Sequence, residues 1–292
     1  REFDSVEQMI AAGVDAVTIA TPTVHHRAAA EPLLKAKVAC LIEKPLAPDA
    51  DEARALVDAA AKTQAVLQVG HIVRFDPVMV AIRNIRGLTP RFIEMDRISP
   101  MTFRSIDVGV VLDMMIHDLD LLLMLVGNEP DEVHASAVAV LGDVEDVCNA
   151  RLVFPPDPKS GLRCVANLTA SRLALKTERK IRIISEDTYV SADFVARTGT
   201  VVHKTANASK LAELRERLKA AEDLSGVNYL DMVKVEPLEV GNGEPLKLQI
   251  EDFLSAVRSG RRPTVDAQAG FAAVRTAERI VEAARRAGTR RI

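Results

Sequence analysis

Between Asp15 and about Gly87, short runs of apolar and β-branched residues alternate with longer runs whose apolar positions recur every three or four residues. Ala16 to Ala20, Val38 to Ile42 and Ala65 to Val69 read as strands, and Ala28 to Ala36, Ala50 to Thr63 and Pro77 to Ile85 as the helices that follow them. Strand and helix alternating at this period predict right-handed crossovers and a parallel sheet, half of a doubly wound domain over residues 1–88. After Gly87 the pattern changes: Arg91 to Ile98 predicts a strand and Val110 to Val126 a long helix. Strand-like runs then dominate at Val133 to Val140, Ala150 to Phe154, Arg163 to Ser171, Arg179 to Ile184, Tyr189 to Phe194 and Val233 to Val240. An α+β domain is therefore expected over 89–292. Ala208 to Glu222 reads as an inserted amphipathic helix, and Leu248 to Arg258 and Gln268 to Arg286 as closing helices split at Ser259-Gly-Arg-Arg-Pro263. The closing helices are expected to pack back on the first domain.

Composition excludes some partners. Apolar residues make up 48% of the 292 and charged residues 27%, ordinary for a globular chain with room for two cores. A net charge of −3 provides no basic field for nucleic acid or an anionic membrane surface. The greasiest stretch is interrupted by Asp113, His117, Asp118 and Asp120, so no run approaches the roughly 20 apolar residues of a spanning helix. Cys40, Cys148 and Cys164 are far apart in sequence, which argues against a metal knot or disulfide framework and fits a reducing cytoplasm.

A doubly wound sheet holds its ligand at the carboxyl ends of its strands. Three such ends carry conspicuous residues: Thr21-Pro-Thr-Val-His-His26, Glu43-Lys-Pro45, and Gly70-His71 leading to Arg74. The fingerprint Gly-x-Gly-x-x-Gly, on which a dinucleotide pyrophosphate rests, is nowhere in the sequence. Lys44 closes an apolar strand before a proline, a stiff place from which an ammonium can hold a hydroxyl. On an ideal helix Asp113, His117 and Asp120 lie within about 60° of one another, opposite a stripe of Leu112, Met115, Leu119, Leu122 and Val126. A carboxylate one turn from an imidazole can orient it as a general base. A solvated polar face and a loop lysine fit the same spacing, and two side chains without a third ligand argue against a metal. His25, His71, His134 and His203 have no convergent polar company in the sequence and read as structural or solvent-facing.

Taken together, Thr21-Pro22 with His26, Glu43-Lys44-Pro45, Asp113-x-x-x-His117-x-x-Asp120, and Glu251-Asp-Phe with Ser259-Gly-Arg-Arg-Pro263 resemble the glucose-fructose oxidoreductase / inositol dehydrogenase (Gfo/Idh/MocA) family along nearly the whole chain. The resemblance implies a Rossmann domain followed by a domain with a large open, mainly antiparallel sheet, through which a homodimer or homotetramer assembles. It implies NAD or NADP as cofactor, lined by Thr21, Pro22, His26, Glu43, Lys44, Pro45, His71 and Arg74. Lys44 would polarise the reacting hydroxyl, His117 would act as acid and base, Asp113 would place both, and Arg104 and Arg172 would join them in binding substrate. Gly70-His-Ile-Val-Arg-Phe-Asp-Pro77 and Asp107-Val-Gly-Val-Val-Leu-Asp-Met-Met-Ile-His117 look most like the nucleotide-sugar branch, the UDP-N-acetylglucosamine 3-dehydrogenases. The implied reaction moves hydride between a sugar-ring secondary alcohol, C3 of a UDP-N-acetylhexosamine, and nicotinamide.

Two departures stand out. Where many members have a glycine-rich run before Asp-x-x-x-His, this chain has Asp107-Val-Gly109. Roughly two βα units and a strand expected before Asp15 are missing from the sequence, which predicts an apolar edge strand and a polypeptide that is unstable or associates there, with the residues for proton transfer present and much of the surface for holding the cofactor absent. Two rival readings stay open: an NAD-dependent glycosidase of the same fold, and a non-catalytic nucleotide or sugar sensor.

Overall fold

The computed structural model describes residues 1–102, 108–205, 208–220 and 229–291. In chain order its elements are α1 (Val6–Ala11), β1 (Ala16–Ile19), α2 (His26–Lys35), β2 (Ala39–Glu43), α3 (Ala50–Thr63), β3 (Leu67–Gly70), α4 (Pro77–Arg83) and β4 (Phe92–Ile98). There follow α5 (Ile116–Val126), β5 (Glu132–Ala139), β6 (Val147–Val153), β7 (Val165–Ser171), β8 (Glu178–Ile184), β9 (Thr188–Asp193) and β10 (Thr198–Lys204). The last are α6 (Ala208–Lys219), β11 (Val233–Pro237), α7 (Pro245–Ser259), α8 (Ala267–Arg286) and β12 (Arg290–Arg291).

The first sheet is parallel, in the order β1-β2-β3, with β1 at an edge. Its middle strand is apolar because both faces are covered: Ala39, Cys40, Leu41 and Ile42 are all buried. Helix α3 matches its predicted bounds. Asp49 caps it by accepting from the Glu52 amide at 2.8 Å, and Ala53, Leu56, Val57 and Ala60, at helical spacing, turn into the core.

The second sheet has nine strands in the order β11-β10-β9-β8-β4-β7-β6-β5-β12. Two of its pairings, β4 with β7 and β5 with β12, are parallel, and the others are antiparallel. Buried and half-buried residues alternate along β4 and β7, so one face packs beneath helices while the other carries Glu94, Arg151, Asn167 and Arg182. Strand β10 is not predicted by the apolar pattern, which Gly199 interrupts. A Cβ there would lie 2.9 Å from Leu238 Cδ2, so the glycine admits a close approach rather than marking a loop.

The two sheets share helix α8. Its Phe271 and Val274 join the core of the parallel sheet, and Ala277, Ile280 and Ala284 that of the large sheet. Gly270 lets it close on β3, since a Cβ would stand 2.5 Å from Val69 Cγ2. The predicted helix over 110–126 is continuous but irregular. Val111–Met115 is a π-helical turn, in which the Ile116 amide reaches back five residues to the Val111 carbonyl. Such a turn alters the angular spacing that the sequence argument assumed.

Candidate active site

The π turn changes what Asp113 does. Widening loosens the regular amide-to-carbonyl ladder, and Lys44 Nζ donates to the Asp113 carbonyl oxygen at 2.6 Å and to its carboxylate Oδ1 at 3.1 Å. The carboxylate therefore partners the lysine at the end of β2 instead of orienting His117 from one turn away. Lys44 follows Glu43 at the strand end, and its peptide bond to Pro45 is cis. Its ammonium has three N–H groups, two of them engaged by Asp113, which leaves one for a ligand.

His117 lies one turn further along. Its Nδ1 is buried with no hydrogen-bond partner, and Nε2 is the nitrogen left to meet a ligand. Burial, then Arg97, Lys44, the neighbouring His71 and, least of these, Arg179, push its pKa well below the ordinary imidazole value. The ring is thus neutral at physiological pH, as a proton acceptor must be.

His71 is not the isolated residue its sequence context suggested. Its ring stands edge-on to His117, centroids 6.4 Å apart, and is 1% exposed with neither nitrogen hydrogen-bonded. Burial is the main cause lowering its pKa, opposed by Asp120 and aided by Arg74 and Lys44.

Two other residues expected to line the cleft are committed elsewhere. Arg74 holds Asp120 through bonds of 2.7 and 2.6 Å and also donates to the Thr264 carbonyl. The pair is buried, so Asp120 braces α5 against the end of β3 and does not share a solvated face with Asp113. His26, 1% exposed, has Nδ1 within 3.0 Å of the Pro45 carbonyl and Nε2 within 2.9 Å of the Thr21 carbonyl. It fastens the loops after β1 and β2 together and leaves Thr21 and Pro22 exposed at the strand end. Pro45 is buried behind them.

Glu43 depends on a missing side chain. A Cβ on Gly70 would lie 2.7 Å from Glu43 Oε2, so the glycine at the end of β3 makes room for this carboxylate. Arg172, expected to meet substrate, is 4% exposed; it bonds Asp146 Oδ1 at 2.7 Å and the Val108 carbonyl at 2.7 Å. It anchors the approach to the π turn. Arg104 lies outside the described residues.

One buried pair went unforeseen. Arg97 donates to Asp118 at 2.9 and 2.6 Å, fixing α5 to β4 directly beside His117. The signal was present in β4, where the buried series Ile93, Met95 continues at the same period into Arg97. A charge closing an apolar stripe requires a buried partner.

The strand ends fit the reactive end of a nicotinamide cofactor. Thr21 and Pro22 are accessible, Gly70 gives Glu43 its place, and His71 offers two unsatisfied nitrogens beside the proton-accepting histidine.

Comparison with known proteins agrees. Residues 1–71 match the model of the oxidoreductase family with an NAD-binding Rossmann fold, and residues 76–191 match the GFO/IDH/MocA C-terminal domain. UDP-N-acetylglucosamine 3-dehydrogenase of Acidithiobacillus ferrooxidans is 37% identical over 270 residues, 92% of this chain and 78% of that protein. A solved structure of the enzyme of that name and organism superposes with a TM-score of 0.82 at 36% identity, covering 97% of this chain and 82% of the other. Levoglucosan dehydrogenase in complex with NADH and levoglucosan has the same fold, with a TM-score of 0.78 at 19% identity over 97% of this chain and 82% of its own. Fold and site thus define an NAD-binding oxidoreductase. The chain belongs to the GFO/IDH/MocA family.

Proposed function

We propose that the protein oxidises a ring hydroxyl of a nucleotide-linked sugar, C3 of a UDP-N-acetylhexosamine, with NAD as hydride acceptor. The observation that carries this reading is the convergence of Lys44, Asp113 and His117, with Lys44 Nζ bonded to Asp113 and the imidazole held neutral nearby. The 37% identity with an enzyme named for UDP-N-acetylglucosamine supports the substrate class.

The chemistry follows from the residues. When bound, NAD accepts the hydride that leaves the sugar carbon. The free N–H of Lys44 donates to the reacting hydroxyl oxygen and, as negative charge develops there, stabilises it. His117 Nε2 takes the hydroxyl proton. Asp113 holds the ammonium by carbonyl and carboxylate together, so Lys44 is positioned before substrate arrives and little entropy remains to be lost. Thr21, Pro22, Glu43 and His71 are the residues that would hold the cofactor. The open face of the large sheet suits self-association as a dimer or tetramer, and three buried, unpaired cysteines suit a reducing cytoplasm. No helix among the described residues is long and apolar enough to cross a membrane.

Incubation with UDP-N-acetylglucosamine and NAD should yield reduced cofactor and a 3-keto sugar nucleotide in equal amounts. No turnover across a panel of nucleotide sugars would exclude the substrate class. Free sugar released without net cofactor reduction would favour glycoside cleavage instead.

A further inference from the structure

Three neighbouring strands of the large sheet end alike on the face that packs beneath the helices. In β7 the buried series Ala166, Leu168, Ala170 runs on to Arg172 just past the strand end, and in β4 Ile93, Met95 runs to Arg97. Strand β8 runs the other way, so its Ile183, Ile181 series reaches the same end at Arg179, directly opposite Arg97 in the register. This is the end from which the π turn and His117 emerge, because Arg172 holds the Val108 carbonyl and Arg97 holds Asp118.

The three arginines differ in one respect. Arg97 has the carboxylate of Asp118 and Arg172 that of Asp146, each pair buried. Arg179 has no hydrogen bond or ion pair from its side chain among the described residues, although burial and the adjacent Arg97 charge lower its pKa and so disfavour the cation. Arg197, exposed on the turn after β9, and Arg179 both act on Asp76, whose Oδ1 is occupied by the Val78 amide at 2.9 Å. The carboxylates of Asp118 and Asp76 are near enough to oppose that lowering, but Asp118 spends both oxygens on Arg97 and Asp76 its Oδ1 on the Val78 amide, so the accessible Arg179 guanidinium, with no acceptor of its own, is an unfilled anion contact close enough to influence His117.

We propose that Arg179, with Arg197 beside it, receives an oxyanion of the substrate outside the reacting ring, namely the diphosphate of a nucleotide sugar. The proposal rests on the sugar-nucleotide reading above and adds the residues that select for it. Guanidinium and phosphate meet as a planar fork on a charged tetrahedron, which an uncharged sugar cannot offer. Occupation would also neutralise one of the charges that depress the His117 pKa, tying recognition of the diphosphate to the proton-accepting group.

The test measures UDP and uridine binding by calorimetry to the unmodified protein and to Arg179→Ala, Arg179→Lys and Arg197→Ala, alongside KM and kcat for UDP-N-acetylglucosamine. Loss of one charge-assisted contact predicts UDP binding about ten- to a hundredfold weaker in Arg179→Ala, with uridine nearly unchanged. KM should rise by a similar factor with kcat little altered, Lys should restore part of the loss, and Arg197→Ala should show a smaller effect in the same direction. UDP binding and KM indifferent to both arginines in folded variants overturn the subsite, whatever the turnover. Should Arg179→Ala fail to fold, Arg179→Lys and Arg197→Ala carry the same comparison. UDP affinity that depends on Arg179 in a protein that turns over no nucleotide sugar would support the subsite and overturn the proposed reaction. Equal losses for UDP and uridine would assign Arg179 a structural part and overturn the proposal.

Discussion

Substituting Asp118 by Ala tests whether the region beneath the site is held by paired charges. Asp118 accepts two bonds from Arg97, at 2.9 and 2.6 Å, and both side chains are 6% exposed. Removing the carboxylate leaves two buried guanidinium N–H groups without acceptors, each costing about 1–3 kcal/mol, and a buried charge without its counterion. The combined loss should be about 3–5 kcal/mol. Urea unfolding would read it by far-ultraviolet circular dichroism, since the chain has no Trp. With a slope near 3 kcal/mol/M, the midpoint should fall by about 1–2 M with the slope itself unchanged. The double variant Arg97→Met/Asp118→Leu removes both charges and fills the space, and it should recover most or all of the loss, because a buried pair seldom outweighs a well-packed apolar replacement. A single variant as stable as the native protein, or a double variant worse than the single, would refute the reasoning.

Other consequences are as direct. Because His117 is held well below its ordinary value of 6.5, kcat/KM for oxidation should stay level as pH falls through 6.5 and decline only at lower pH; a midpoint at or above 6.5 would contradict the burial and cation argument. The same depression has a stability counterpart: the unfolded chain takes up a proton that the folded one resists, so stability falls with pH, by up to about 1.4 kcal/mol at pH 5.5, and His117→Gln should lose less between pH 7.5 and 5.5. Gly109→Ala would drive a Cβ into the Glu145 side chain and displace the carboxylate that accepts the Val111 amide, so turnover should drop about tenfold while the urea midpoint moves little; Glu145→Ala, which removes the same acceptor, should lower turnover in the same direction. Gly70→Ala, crowding Glu43 Oε2 at 2.7 Å, should raise KM for NAD severalfold and leave KM for the sugar nearly unchanged, and steady-state kinetics with each substrate varied would separate the two.

Much of the fold was legible because its signals are periodic. The apolar run of β2 and the capped, amphipathic α3 follow from local rules, as does the α+β character after Gly87. Strand β10 was hidden by Gly199, whose reason is a contact with Leu238 39 positions away. The site was legible in its residue types more than in its pairings. Spacing put Asp113 with His117, but the π turn and a lysine 69 residues earlier claimed the carboxylate. Asp118 and Asp120, within one turn of each other, are matched to arginines on two different elements, Arg97 on β4 and Arg74 after β3, which no helical wheel reveals. His71 and His26 show the same limit, since a histidine's part depends on what the other strand ends bring to it: His26 meets carbonyls on both nitrogens and His71 meets none.

The central claim is that Lys44 and His117 carry the proton chemistry of hydride transfer. Its most direct measurement is single-turnover reduction of NAD by UDP-N-acetylglucosamine in the unmodified protein, Lys44→Ala and His117→Ala, at saturating concentrations of both ligands. Each substitution should slow the hydride step about a hundredfold or more, with the His117→Ala rate losing its acid limb. Hydride transfer at an undiminished rate in either variant would contradict it.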